Sequence, residues 1–388
     1  MIKPNNFYKE TEKRYKKRGL NYEQEKLFKL TDTLYQQAKQ NYLKLDKPKF
    51  CDLENYISVW INEEIGNDIA KKSISELNLN NPPDDFKATI DFYKNYPPSY
   101  FEKSKETHIR NQINFNDIKE KWLLMVKERN NFSLNKGYKS RIDMILKDFK
   151  IPKSEYNKFL KNTDKIIHFC KVKVYLESST IFNQKSSNFC FICNLKSFPF
   201  KELTDFLDFF RKKEYFFRKN ENRVEIQFEN SSKTKYIKET DSFNITLNKE
   251  VNTKHQIVDL IHELAHVTST IKILKQNKFI KIKAYYLEKS AIKKEIIFLK
   301  KYFPDILIAK LGDILRIICQ TLFEIEIYQN PNKNPDKLYL KYLNKCFKKN
   351  KMTNSCDYLS NQDILYKSFS QLIYAIAYVN VLTSSSIK

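Results

Sequence analysis

The chain has 388 residues, 41% of them hydrophobic, which is enough for a sizeable core spread over two or three structural units. Seventy basic residues against 46 acidic ones give a formal charge of +24, but lysine greatly outnumbers arginine and is spread along the whole chain, so no specific nucleic-acid partner is expected. Only four glycines occur (Gly19, Gly66, Gly137 and Gly312), which excludes phosphate-binding loops and dinucleotide fingerprints, and with them kinases, P-loop enzymes and Rossmann dehydrogenases.

The opening Met1-Ile2-Lys3-Pro4-Asn5-Asn6 is polar and lacks the apolar core of a signal peptide. The longest apolar stretches, such as residues 372–382, fall short of a membrane span. The seven cysteines are odd in number and lack a disulfide-like spacing. A cytoplasmic protein with no membrane partner is expected.

Residues 1–180 carry a helical pattern. Stretches 53–63 and 118–127 place apolar residues three or four apart. Pro82-Pro83 and Pro97-Pro98 interrupt the pattern and predict loops. Ile151-Pro152-Lys153-Ser154-Glu155 predicts a helix start with proline in its first turn. Between 181 and 251 the texture changes. Stretches 188–195, 223–228 and 242–247 are short and rich in aromatic or β-branched residues, and polar stretches such as Glu229-Asn230-Ser231-Ser232 separate them. They predict a small antiparallel sheet. Cys190 and Cys193 form a CxxC inside the apolar run Phe189-Cys190-Phe191-Ile192-Cys193, and with no second pair in sight they are expected in a buried strand, not on a structural zinc ion.

From 252 to 388 the pattern is helical again. Asn252 or Thr253 can cap a helix whose Ile257, Leu260, Ile261 and Leu264 form a buried stripe. Asp259, His262, Glu263 and His266 fall on another face of that helix. Pro304 can open a long apolar helix through Gln329, and Pro331-Asn332-Lys333-Asn334-Pro335 ends it.

The informative feature is His262-Glu263-Leu264-Ala265-His266, an HExxH pattern on the predicted helix. Two histidines four apart project from one face and can bind one metal ion, with the intervening glutamate placed as a general base. Zinc needs a third protein ligand and an open position for water. No histidine follows His266, so a carboxylate must serve. Glu288 is the next acidic residue and the preferred ligand, with Glu295 the other candidate. Glu295 lies seven residues further on the same helical face, where it could instead orient a histidine or the water. Asp259 is open between that supporting role and a plain position near the helix start, where the dipole favours it. These parts describe amide hydrolysis: zinc acidifies a water, Glu263 takes its proton, and a tyrosine or histidine from elsewhere assists the oxyanion. The strand over 243–247 leads into the motif helix, and an edge strand there can hold an extended peptide by backbone pairing.

Three segments, in order, resemble the thimet oligopeptidase and oligoendopeptidase F family of zinc endopeptidases. Arg129-Asn130, Leu134 and Gly137-Tyr138-Lys139 are similar to its RNxLAxxxGYK segment. HELAH is followed by Glu288 and, seven on, Glu295, similar to its glutamate segment. Ser368-Phe369-Ser370-Gln371-Leu372-Ile373-Tyr374-Ala375-Ile376-Ala377 looks like its PFYYIDYALA stretch. The resemblance implies a mainly α, clam-like metallopeptidase with a small sheet and a channel for short unstructured peptides. It also implies one zinc ion (Zn2+) on His262, His266 and Glu288, with Glu263 as base. Ala265 stands where the family has glycine, and Ser370 and Gln371 stand where it has tyrosines, which leaves Tyr374 in register as the candidate oxyanion donor, with Tyr378 as its alternative. The expected organisation is a helical region over 1–180, a β-region over 181–251 and a helical zinc-binding region over 252–388. Two other functions stay open: a regulatory metallopeptidase of the ImmA/IrrE type that cuts a protein partner, and a degenerate peptidase that only binds peptides.

Overall fold

The computed structural model describes residues 87–96, 114–181, 191–192, 194–229, 232–237, 240–249, 251–275, 284–347, 357–361, 364–365 and 368–384. The expected helix over 53–63, the two proline pairs and Cys190 with Cys193 lie outside the described residues. Helices α1 (Lys87–Asn95), α2 (Phe115–Asn135), α3 (Arg141–Asp148), α4 (Lys153–Ile181), α5 (Leu203–Lys213) and the single turn α6 (Tyr215–Arg218) come first. Strands β1 (Val224–Glu229), β2 (Lys233–Ile237) and β3 (Ser242–Asn248) follow. Then come α7 (Thr253–Lys275), α8 (Ala284–Tyr302), α9 (Pro304–Gln329), α10 (Pro335–Cys346) and α11 (Leu372–Leu382). The protein is mainly α with one small sheet beside the motif helix, as expected.

The sheet itself differs from the expectation. Its order is β1-β3-β2, with β2 antiparallel to β3 but β1 parallel to it, Val224 opposite Phe243 and Glu229 opposite Asn248. The last strand is therefore central and β2 is an edge. Strand composition explains the order: β3 buries Phe243, Ile245, Thr246 and Leu247, whereas β1 and β2 bury none of their side chains fully. The most apolar strand takes the middle, and lysine-bearing β2 takes an edge.

The predicted strand over 188–195 is not one. Phe191, Ile192 and Asn194 lie in turns and Leu195 makes a single bridge. The run is apolar because it packs on helices: Ile192 and Leu195 are buried, and the Phe191 ring stacks on Phe347 with centroids 6.3 Å apart. A Cβ on Gly312 of α9 would fall 2.4 Å from that ring, so only glycine admits it there. A short apolar run does not by itself separate strand from buried turn.

The chain divides into two compact units. One comprises Met1–Ile145, Glu324–Leu338 and Asn354–Ser370. Its core holds Phe92, Trp122, Met125, Phe132 and Tyr358. The buried Arg129 guanidinium donates to Tyr328 Oη (2.8 Å) and to Leu365 O (3.4 Å), and buried Arg141 donates to Ser368 Oγ (2.7 Å). Glu128 of α2 accepts from Ala88 N (2.6 Å) and Thr89 N (2.8 Å), satisfying backbone donors at the start of α1. Helix α2 ends on Gly137, whose φ is +75°. Gly137 N bonds Leu134 O (2.8 Å) and Tyr138 N bonds Ser133 O (3.0 Å), the paired bonds of a Schellman cap. Thus the Arg129-Asn130 and Gly137-Tyr138 segment has a structural role: it anchors and terminates one helix.

The other unit comprises Leu146–Phe323, Tyr339–Thr353 and Gln371–Lys388. Here α7 packs on α8, β2, β3 and α5, and α11 packs on both α4 and α8. Glu155 of α4 joins three helices: its Oε2 accepts from Tyr285 Oη (2.5 Å), Lys289 Nζ (2.6 Å) and Asn380 Nδ2 (3.0 Å). Burial pushes its pKa up, but the Lys289 and Tyr285 hydrogen bonds and the Lys289 charge outweigh that and bring it to about 2.

Two outcomes follow for stability. Gly137→Ala should cost about 1–2 kcal/mol in denaturant unfolding, because a side chain there must adopt a left-handed backbone. Since folding lowers the Glu155 pKa, its stabilisation is complete above the ordinary carboxylate range and is lost as pH falls toward about 2. Melting temperatures measured from pH 5 to pH 2 should therefore fall more steeply for the wild type than for Glu155→Gln.

Candidate metal centre

Asn252 caps α7, its Oδ1 accepting from His255 N (3.1 Å). Ile257, Leu260, Ile261 and Leu264 are all buried, and this fixes the rotation of the helix. One turn apart on another face, His262 and His266 bring their Nε2 atoms to 3.1 Å from each other. From α8, Glu288 places Oε2 3.3 Å from His262 Nε2 and Oε1 3.4 Å from His266 Nε2. Among the described residues, this is the trio of His, Cys, Asp or Glu donors that converges within 4.8 Å.

The trio fits a tetrahedral cation. Ligand bonds of about 2.0–2.2 Å imply donor–donor edges of about 3.3–3.6 Å; here the two imidazole Nε2 atoms are a little closer, at 3.1 Å, and the two Glu288 oxygens lie 3.3 and 3.4 Å from one Nε2 each. Glu288 Oε2 is buried and faces His262 Nε2 without a hydrogen bond of good geometry, as a carboxylate oxygen aimed at a metal position would.

Behind the trio, Glu295 is fully buried. Its Oε2 lies 2.9 Å from His262 Nδ1, its Oε1 lies 2.8 Å from Lys310 Nζ of α9, and Tyr378 Oη of α11 donates to Oε2 at 3.4 Å. A carboxylate on Nδ1 keeps the proton there and leaves the Nε2 lone pair free for a metal. Burial alone would push Glu295 up, but Lys310 and His262 outweigh it and bring it to about 2. For His262, burial works against the charged ring, yet Glu295 and Glu288 together push it up to about 10. Glu288 is likewise raised by burial but brought to about 2 by the two imidazoles. The two carboxylates thus make the cluster anionic enough to hold a proton on His262.

Glu263 sits beside this group. Its Oε2 accepts from Thr234 Oγ1 of edge strand β2 at 2.6 Å. Burial raises its pKa, only partly offset by the His262 charge and the Thr234 hydrogen bond. A raised carboxylate is what proton transfer near neutral pH needs. A cleft of about 330 Å³ opens over these residues, lined by Thr234, Tyr236, His262, Glu263, Glu288 and Tyr374 among others.

The structure thus brings His262, Glu263, His266, Glu288 and Tyr374 to one cleft. It gives Tyr378 to the Glu295 carboxylate instead. Asp259 accepts from Ser232 Oγ (2.6 Å) and fastens the chain just before β2 to α7. Sequence reasoning missed Thr234 and Lys310. The alternation Lys233-Thr234-Lys235-Tyr236-Ile237 was the available signal for β2; nothing local singled out Lys310.

A mainly helical fold carrying two helical histidines, a glutamate between them and a later carboxylate defines a candidate mononuclear centre of the HExxH kind. No protein-family model and no curated protein matches the sequence. Two solved structures are similar to it in fold. One is a crystal structure at 3.1 Å of a protein provisionally assigned as oligoendopeptidase F, with a TM-score of 0.49 and 10% identity over 85% of this chain and 73% of that one. The other is a protein from Bacillus anthracis str. Ames with the same provisional assignment, with a TM-score of 0.45 and 13% identity over 92% of this chain and 73% of that one.

Glu295→Gln should weaken zinc affinity about 10–100-fold in a chelator competition, because His262 loses the carboxylate that orients it. Thr234→Val should leave that affinity unchanged, since Thr234 touches Glu263 and none of the three donors.

Proposed function

We propose that this chain is a zinc-dependent endopeptidase that hydrolyses short oligopeptides. The observation that carries the reading is the convergence of His262 Nε2, His266 Nε2 and the Glu288 carboxylate, with the raised carboxylate of Glu263 alongside. A donor set of two imidazoles and one carboxylate suits zinc and leaves a position open. When bound there, the cation supplies Lewis-acid chemistry, acidifying a water and polarising a substrate carbonyl.

The remaining work falls to this chain's own residues. Glu263 accepts the proton of the attacking water and returns it to the leaving amine. Thr234 holds Glu263 in place through the 2.6 Å hydrogen bond, which orients the second carboxylate oxygen. Edge strand β2 lines the cleft through Thr234 and Tyr236, so an extended peptide can add to it by backbone pairing. Tyr374 on the cleft wall is the candidate donor to the developing oxyanion. Glu295, Lys310 and Tyr378 hold His262 in register and touch no substrate.

Metal analysis of purified protein should give one equivalent of zinc, and a chelator should abolish turnover of a quenched peptide library. Glu263→Gln should keep the zinc and lose about 10²–10⁴-fold in rate, and His262→Ala should lose the zinc itself. Tyr374→Phe should slow turnover about 10²–10³-fold with zinc retained. Zinc without turnover of any peptide would instead favour a peptide-binding module, and cutting confined to one folded partner would favour a regulatory peptidase.

A further inference from the structure

Helix α7 serves two cavities with two stripes of residues. His262, Glu263, His266 and Thr270 line the metal cleft. Ile261, Leu264, Ala265, Thr268 and Lys272 line a separate cavity of about 250 Å³. Apolar side chains, including Phe210 of α5 and Phe298 of α8, make much of its wall. Lys294 of α8 enters this cavity half-buried, and its Nζ donates to Thr268 Oγ1 at 3.0 Å. Among the described residues it has no ion pair, although an ammonium offers three donors.

Lys272, Lys294 and Lys301 line the cavity together with Glu214 and Glu295, and the Glu295 carboxylate is already bonded to Lys310 and His262. Burial, and then the neighbouring Lys272, push the Lys294 ammonium down to about 8, with Glu214 pulling the other way. Lys272 and Lys301 are exposed, as expected of lysines scattered over a basic surface. Lys294 is different: it gives up part of its hydration to sit among aromatic and aliphatic side chains, an arrangement that an anionic partner offsets. With the Glu295 carboxylate taken up by Lys310 and His262, the half-buried Lys294 ammonium and the Thr268 hydroxyl beside apolar walls favour a small anionic head on a hydrophobic body.

We propose that this cavity binds a monocarboxylic acid with an apolar tail, its carboxylate on Lys294 Nζ and Thr268 Oγ1 and its tail along Phe210 and Phe298. The cavity lies on a different stripe of α7 from the metal cleft, although Glu295, which holds His262, is among the residues that line it. It touches both helices that carry the metal donors, through Thr268 on α7 and Lys294 on α8.

Calorimetric titration of the full chain with octanoate tests this, with octanamide, acetate and inorganic phosphate as comparisons. Octanoate should saturate one site and bind at least about tenfold more tightly than octanamide, which lacks the charge, or acetate, which lacks the tail. Lys294→Met should weaken octanoate at least about tenfold, with melting temperature and zinc content unchanged. Thr268→Val should give a smaller loss. Octanoate affinity should survive removal of zinc by a chelator. Loss on chelation would put the acid in the metal cleft and overturn the proposal. Equal binding of octanoate and octanamide, phosphate binding as tight as octanoate, or wild-type affinity in Lys294→Met would each overturn it too. If Lys294→Met does not fold, the ligand comparison and the chelation step on the wild-type protein decide the matter.

Discussion

A single buried carboxylate organises the site. Glu295 is fully enclosed, and an ionised carboxylate without partners in such a place costs several kcal/mol. Its partners come from three other helices: His262 from α7, Lys310 from α9 and Tyr378 from α11. Moving any of these helices leaves a buried charge uncompensated. The direction in which His262 points its Nε2 is therefore set by the same electrostatics that holds the helices together. The geometry of the candidate site and the packing of its helices are one constraint.

What the sequence disclosed tracks the range of each interaction. His262, Glu263 and His266 are fixed by the 3.6-residue period of one helix, so their common face could be read from spacing alone. Glu288 and Glu295 were legible as a pair because seven residues also make two turns. Which of them would face the imidazole Nε2 atoms depended on how α8 lies against α7, and spacing carries no such information. Lys310, Thr234 and Tyr378 reach the centre from distant segments, and only Tyr378 drew attention beforehand. The stripe of Ile257, Leu260, Ile261 and Leu264 was readable, whereas the second stripe through Thr268 and Lys272 was not, because its cavity is completed by α5 and α8.

The β-region shows the same division. Two strands were recognisable from aromatic and β-branched content, but β2 was passed over because lysines occupy alternate positions. Pairing was harder still. Turn signals locate strands without saying which become neighbours, and the parallel β1–β3 pair arises from burial of β3 between two more polar strands. The apolar run around Phe191 misled in the opposite direction. Its side chains are buried by helices, and the clue lay far away at Gly312, whose missing Cβ makes room for the ring.

Lysines at alternate positions of β2 have a further consequence. Lys233 and Lys235 are exposed on an outer strand of the sheet, while the alternating Thr234 and Tyr236 are half-buried. An outer strand with unsatisfied backbone groups invites a matching strand from a second copy, the first step of fibre growth. Two copies stacking at this rim would bring lysine against lysine, on chains that already repel through a formal charge of +24 each. The lysines thus guard the rim against a duplicate of itself.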